Sequence, residues 1–149
     1  MSEASNSQSL NLGLLLFIPY RAMENRVFES LAQAGFDDIT LARGRICQRI
    51  SPEGTRLTDL AEQAQVTKQT ASGLVDELER AGYVTRVPDP SDARARLIQI
   101  APRGAAAVEA AAATIAEVEA EWVRHLGTRR ITQLRHILED LRGVTDPYQ

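Results

Sequence analysis

Residues 57–101 constrain the fold more than any other part of this chain, because two short helical patterns are followed there by two strand patterns. Thr58 and Thr67 each stand before one of the helical patterns, where a side-chain oxygen can cap a helix. Gly82 can take the positive φ that ends the second helix. The apolar residues of that helix fall at the spacing of one buried face: Ala71, Leu74, Val75 and Leu78. Two short helices in such close succession predict a helix-turn-helix.

The other face of the second helix is free of acidic residues over its first two turns. It presents lysine, glutamine, glycine and short hydroxyl side chains: Thr67, Lys68, Gln69, Thr70, Ser72 and Gly73. Such residues at a helix N-terminus can approach base edges and phosphates in the major groove of duplex DNA. The same pattern is also found in an ordinary helix with a solvated polar face. The segment that follows this helix is needed to distinguish a DNA-binding helix from an ordinary one.

That segment predicts a β-hairpin with a basic tip. Residues 83–88 and 96–101 have strand character, and the loop DPSDARA lies between them. Four arginines stand against two aspartates over residues 86–103, although the net charge of the chain is −3. We expect Asp92 to hold the Arg94 guanidinium in a bidentate pair, so that Arg94 enters the minor groove. Arg86 and Arg96 are expected to support contacts with the DNA backbone.

Two motifs in this region resemble the winged helix of the MarR (multiple antibiotic resistance regulator) family of bacterial transcription factors. The first is LVDELERAGYVTR at residues 74–86, and the second is the wing signature Asp89-x-x-Asp92-x-Arg94. The resemblance extends over almost the whole chain, because the flanking helical patterns match in order and length. Ala101 stands where the family often has threonine, which puts a helix cap in doubt rather than DNA binding. The resemblance implies a dimer that reads a pseudo-palindromic DNA site.

The flanks of this region predict long helices. We divide the chain into a disordered tail at 1–8, dimerisation helices at 9–36 and 102–149, and a winged helix-turn-helix at 37–101. Pro19 is expected to kink the first helix or to reset its start, and Gly143 to end the last one. The terminal helices carry more apolar surface than a lone winged helix can cover, which predicts a C2 homodimer. Packing within one chain into a helical bundle is the alternative.

The resemblance also implies an effector site where the dimer helices meet the winged helix. A phenolic or other aromatic small molecule is the expected effector, and the candidate lining residues are Tyr20, Met23, Arg45 and Trp122. Each of these residues also fits a plain core or surface position.

Composition excludes several other classes of protein. The hydrophobic and charged fractions, 44% and 25%, are those of a soluble globular protein. The apolar run LGLLLFI is too short for a membrane span and lacks the basic leader of a signal peptide, so we expect a cytoplasmic location. Phosphate-binding loops, dinucleotide fingerprints and nucleophile elbows are missing from the sequence. His125 and His136 have no partners at metal-ligand spacing, so neither an enzyme, a metal site nor a cofactor is predicted.

The sequence therefore predicts a mainly α protein with a small β-hairpin wing, acting as a homodimeric, sequence-specific DNA-binding repressor that a small molecule releases. A winged helix used for protein–protein contact is one alternative. A redox sensor acting through Cys47 is another, although a packed thiol is the simpler interpretation of a single cysteine.

Overall fold

The computed structural model describes residues 9–148, so the predicted tail at 1–8 lies outside the described part of the chain. The helices are α1 (Leu12–Gln33), α2 (Leu41–Cys47), α3 (Leu57–Ala64), α4 (Lys68–Arg80), α5 (Pro102–Leu126) and α6 (Thr128–Thr145). The strands are β1 (Val84–Asp89) and β2 (Asp92–Ile100), which pair in antiparallel fashion. The predicted mainly α fold with a hairpin wing is confirmed.

The core lies where α2, α3 and α4 meet the base of the hairpin. The largest fully buried side chains are Tyr83, Ile46, Leu60, Leu78, Ile98 and Val75. The predicted apolar face of α4 is confirmed, since Ala71, Val75 and Leu78 are completely buried and Leu74 packs against them. Burial of this face turns the opposite face of α4 to solvent.

Local contacts set the ends of α3 and α4. Thr67 caps α4 as predicted, because its hydroxyl accepts a hydrogen bond from the backbone N–H of Thr70 at 3.0 Å. The prediction for Thr58 was wrong: α3 begins at Leu57, after Arg56. The Arg56 side chain makes no cap, because a guanidinium has no acceptor for a backbone N–H. It binds a carboxylate of the wing instead. A residue in the left-handed region, Gln65 at φ 56°, closes the turn between the two helices.

The hairpin is longer and less regular than predicted. Its register runs from Val84 opposite Ile100 to Pro88 opposite Arg96, and then shifts so that Asp89 faces Asp92. The shift leaves residues 93–95 of β2 without partners in β1. The predicted open loop is therefore a tight turn followed by a bulged stretch of strand. The reason is that Asp89 Oδ1 accepts hydrogen bonds from the backbone N–H and the hydroxyl of Ser91, which close the turn early.

The flanking helices also depart from prediction in detail. The helix α1 continues through Pro19, so the expected restart at this residue was wrong. The carbonyl of Leu15, which loses its donor at Pro19, belongs to an exposed stretch where water can satisfy it. The helix α6 continues through Gly143 to Thr145. Within residues 9–148, none of the helices is long and apolar enough to cross a lipid bilayer.

Candidate nucleic-acid interface

The first two turns of α4 present the polar surface that the sequence predicts. Thr67, Lys68, Gln69, Thr70 and Gly73 are exposed, and Ser72 is half-buried beside them. The hydroxyls of Thr67 and Thr70 are hydrogen-bonded at 2.9 Å. All six predicted residues therefore lie together at the N-terminal end of one helix, where the backbone N–H groups favour an anion.

Gly73 leaves this surface flat in the middle of α4. A Cβ built on Gly73 would meet no atom within 4 Å, so packing inside the protein does not require glycine there. The residue lies in the middle of α4, where glycine lowers helix stability relative to alanine. The helix backbone is therefore accessible from solvent at Gly73.

The three acidic residues of α4 are all paired with two arginines from other elements. Arg86 of β1 places Nη2 at 2.7 Å from Asp76 Oδ1 and Nη1 at 2.8 Å from Glu79 Oε1. Arg43 of α2 places Nη2 at 2.8 Å from Glu77 Oε2. The guanidinium of Arg86, with 18% of its side chain exposed, therefore lies against α4, and its predicted contact with the DNA backbone stays a prediction.

The wing tip presents two unpaired cations. Arg94 and Arg96 are exposed, and the described part of the chain offers no acidic partner to either guanidinium. The predicted bidentate pair between Asp92 and Arg94 was wrong, since Asp92 Oδ1 accepts from the backbone N–H of Arg94 at 3.0 Å. A carboxylate two residues before an amide reaches that amide most directly. Asp92 therefore shapes the backbone of the bulge and leaves the Arg94 side chain free.

A network at the turn of the wing escaped the sequence analysis. Arg56 donates through Nε to Asp89 Oδ2 at 2.8 Å, while Ser91 occupies the other oxygen of that carboxylate. These hydrogen bonds hold the pKa of Asp89 below its usual value. The largest effect comes from the Ser91 hydroxyl, the next from the Ser91 backbone N–H, and the third from the Arg56 side chain. Asp89 was part of the wing signature, but no local pattern marks Arg56 as its partner.

Two of the four predicted effector residues share a partner that the sequence analysis did not single out. Glu24 of α1, 8% exposed, accepts from the Tyr20 hydroxyl at 2.8 Å and lies 3.6 Å from the Arg45 guanidinium. Burial, and next the hydrogen bond to Glu24, raise the pKa of Tyr20. Met23 packs against the core and Trp122 is half-buried on α5. The sequence did contain a signal for Glu24, because it is a carboxylate that lies on the apolar stripe of α1.

Cys47 lies at the end of α2 and packs against the core. Burial raises the pKa of its thiol to about 11, which disfavours the reactive thiolate. Among the described residues, His, Cys, Asp and Glu side chains form no group of three or more that could hold a metal ion.

Comparisons with known proteins agree with this architecture. The model of the MarR family matches residues 49–95, which hold the helix-turn-helix and most of the wing. The transcriptional activatory protein BadR of Rhodopseudomonas palustris is 30% identical over 103 residues, or 69% of this chain, and the match spans 58% of the length of BadR. The HTH-type transcriptional regulator FarR of Neisseria gonorrhoeae is 26% identical over 147 residues. That match covers 98% of this chain and 97% of FarR.

A solved structure extends the likeness to three dimensions. The Mycobacterium tuberculosis MarR family protein Rv2887, in complex with salicylic acid, superimposes with a TM-score of 0.65 at 26% identity. The match covers 90% of this chain and 98% of that one. The chain is a winged helix-turn-helix protein that belongs to the MarR family.

Proposed function

We propose that this protein is a sequence-specific DNA-binding transcriptional regulator. The observation that carries the proposal is the acid-free N-terminal surface of α4, which lies in the same domain as the free cations of the wing. In such a domain α4 enters the major groove, and Lys68, Gln69 and Thr70 meet base edges or phosphates. Arg94 of the bulge enters the adjacent minor groove, and Arg96 contacts the backbone.

The distribution of charge supports this proposal in a chain whose net charge is −3. The acids of α4 are ion-paired with arginines, and in the described part of the chain the exposed cations Lys68, Arg94 and Arg96 have no acidic partner. An acidic protein with a local cationic surface binds phosphates only over that surface, so its affinity falls steeply with salt.

We propose further that the active form is a homodimer. No residue of α6 is buried in the single chain, and its apolar side chains form one stripe: Leu134, Ile137, Leu138 and Leu141. The first half of α1 is exposed as well, with Leu12 at 79%. An isolated helix of 18 residues is marginal in water, so a second copy is the natural cover for this stripe. Two copies of α4 roughly 34 Å apart would then read a pseudo-palindromic operator.

Binding to the protein's own upstream intergenic DNA tests the central proposal. Fluorescence anisotropy at near-physiological salt, with excess random competitor duplex, should give saturable binding that survives the competitor. Arg94→Ala should weaken it, and the matched variant Arg129→Ala, which removes an exposed cation from α6, should not. Binding that the competitor abolishes for every upstream fragment would contradict sequence-specific recognition and would favour a protein partner for the winged helix.

The proposed action on transcription is repression, because a dimer that occupies a promoter excludes polymerase from it. The place of action is the cytoplasm, where the chromosomal operator of a bacterium lies. A reporter fused to the bound fragment should show higher transcription when the gene for this protein is deleted. Lower transcription in the deletion strain would identify an activator instead.

The proposed effector is a small aromatic acid that binds beside Tyr20 and Arg45. Arg45 is 3.6 Å from Glu24 and about half-exposed, so an incoming carboxylate can take the place of Glu24 as its partner. Salicylate, the ligand named for the Rv2887 structure, is a suitable probe. Isothermal titration should detect salicylate binding that Arg45→Gln weakens, whereas the α6 variant Arg130→Gln leaves it unchanged; equal binding by both variants would remove Arg45 from the site.

A further inference from the structure

We propose that Arg86 is a positioning residue that screens the acidic side chains of the recognition helix α4 from DNA, and does not itself contact DNA. The inference rests on the proposed DNA-binding function and assigns a role within that surface. It replaces the direct backbone contact that the sequence suggested for Arg86.

The first step is the charge of α4 taken alone. The helix carries two cations, Lys68 and Arg80, and three carboxylates, Asp76, Glu77 and Glu79, so its net charge is −1. A helix of that charge is poorly suited to lie among phosphates. The two arginines that reach it from outside, Arg43 and Arg86, change the sum over the paired surface to +1.

The second step is the direction in which these carboxylates face. Asp76 follows Gln69 by seven residues, so the two share one side of α4, opposite the buried residues Ala71 and Val75. The side chains of Asp76 and Glu79 are 55% and 41% exposed. A duplex that contacts Gln69 would therefore bring phosphates near at least one negative charge.

The third step is that Arg86 is fully engaged. One end of its guanidinium binds Asp76 and the other binds Glu79. Its side chain is 18% exposed, less than those of the acids it binds. Arg86 belongs to β1, so the same two ion pairs also hold the wing against α4 and fix the distance between the two proposed DNA-contacting elements.

Four variants separate screening from direct contact: Arg86→Gln, Asp76→Asn/Glu79→Gln, the triple combination of these changes, and Arg135→Gln. The last is the matched control, because it removes one cation from an ion pair between α6 and α5. The readouts are affinity for the preferred upstream duplex at several salt concentrations and the thermal unfolding midpoint. Arg86→Gln should weaken binding by about tenfold, since it leaves two carboxylates unscreened near phosphates. The triple variant should return to within about threefold of the wild type, and the control should not change affinity.

A direct contact predicts the opposite pattern. The triple variant would then stay as weak as Arg86→Gln, and both would lower the slope of log affinity against log salt by about 0.9. That result would overturn the proposal. If Arg86→Gln does not fold, the double variant decides alone. Because it also loses the two ion pairs that hold the wing, screening requires it to bind within about threefold of the wild type or more tightly, and a larger loss contradicts screening.

The same measurements distinguish failure of the proposed function from failure of this inference. A wild type that shows no preference for any upstream duplex removes the DNA-binding proposal and this inference with it. A wild type that binds specifically, with a triple variant that stays weak, removes only the role of Arg86.

Discussion

Arg56 and Asp89 are 33 positions apart in the chain, yet Arg56 Nη2 lies 2.7 Å from Asp89 Oδ2. The contact joins the residue that precedes α3 to the last residue of β1. Since Asp89 also accepts both hydrogen bonds that close the Ser91 turn, one carboxylate shapes the wing and fastens it to the helix-turn-helix. The position of Arg94 relative to α4 therefore depends on this pair.

Asp89→Asn should lower stability in a pH-dependent way. Hydrogen bonds from Ser91, and then the Arg56 side chain, hold the pKa of Asp89 below its ordinary value of 3.8. A carboxyl whose pKa is lowered by folding contributes its full stabilisation above the unfolded pKa and loses it as the pH falls through the folded pKa. The difference in urea midpoint between wild type and variant should therefore be constant above pH 3.8 and narrow at lower pH.

The control for this prediction is Asp140→Asn, which alters an exposed aspartate of α6. Its urea midpoint at neutral pH should stay close to that of the wild type, because this exposed side chain lies on α6, away from the wing. If the difference in urea midpoint between Asp89→Asn and the wild type stays constant as the pH falls through the acidic range, folding does not stabilise the Asp89 carboxylate.

Local patterns explain which parts of the fold were predictable. The buried face of α4, the Thr67 cap and the positive φ of Gly82 each follow from residues within a few positions of one another. The exposed face of α4 could be predicted as well, because the side of a helix opposite its buried face points to solvent. The grouping of the six candidate residues on α4 could therefore be predicted from sequence.

Contacts between distant segments could not be predicted. Nothing in the periodicity shows that Arg56 meets Asp89, or that Arg86 turns back to Asp76 instead of outward to a phosphate. The wing illustrates the same limit, since the early turn is set by the carboxylate of Asp89 and not by the strand propensity of residues 83–88. Arginines look equivalent in sequence, and their partners in space decide which of them remain available.

Gly104→Ala should destabilise the junction between the wing and α5. A Cβ at Gly104 would collide with the backbone oxygen of Tyr83, which cannot move as a flexible side chain would. We expect the free energy of unfolding to fall by about 1–3 kcal/mol, the usual range for overpacking. Gly143→Ala is the matched control, because it lies in α6 with no atom within 4 Å, and should raise the free energy of unfolding by about 0.5–1 kcal/mol. Urea denaturation of both variants checks the pair; equal effects would mean that α5 can shift away from Tyr83 without loss.

Gly73→Ala should separate stability from DNA binding. The added methyl group meets nothing inside the chain and removes a glycine from the middle of α4, so the free energy of unfolding should rise by about 0.5–1 kcal/mol. At the proposed DNA surface the same methyl occupies space that the duplex needs, and affinity should fall by about tenfold. Anisotropy and urea denaturation measure the two effects on one sample. A more stable variant with unchanged affinity would place Gly73 outside the interface.

Cys47 should behave as a packed thiol. Burial raises its pKa to about 11, so near pH 8 almost none of it is the thiolate that reacts with disulfide reagents. Its reaction with such a reagent should be slow in the native protein and should accelerate in urea, and Cys47→Ala should leave DNA affinity unchanged. Rapid modification of the native protein, together with release of DNA, would support the redox-sensor alternative.

Gln69→Ala should alter base preference more than overall affinity. Gln69 is exposed beside Lys68 and Gly73 on the first turns of α4, and its amide can pair bidentately with adenine. Loss of that pairing should relax discrimination at one base pair of each half-site by about 1–3 kcal/mol, while random duplex binds as before. Affinities for a set of operators changed at single base pairs would show this, with Gln63→Ala on α3 as the control. A uniform loss of affinity on every duplex would contradict base reading by Gln69 and would point to a phosphate contact in its place.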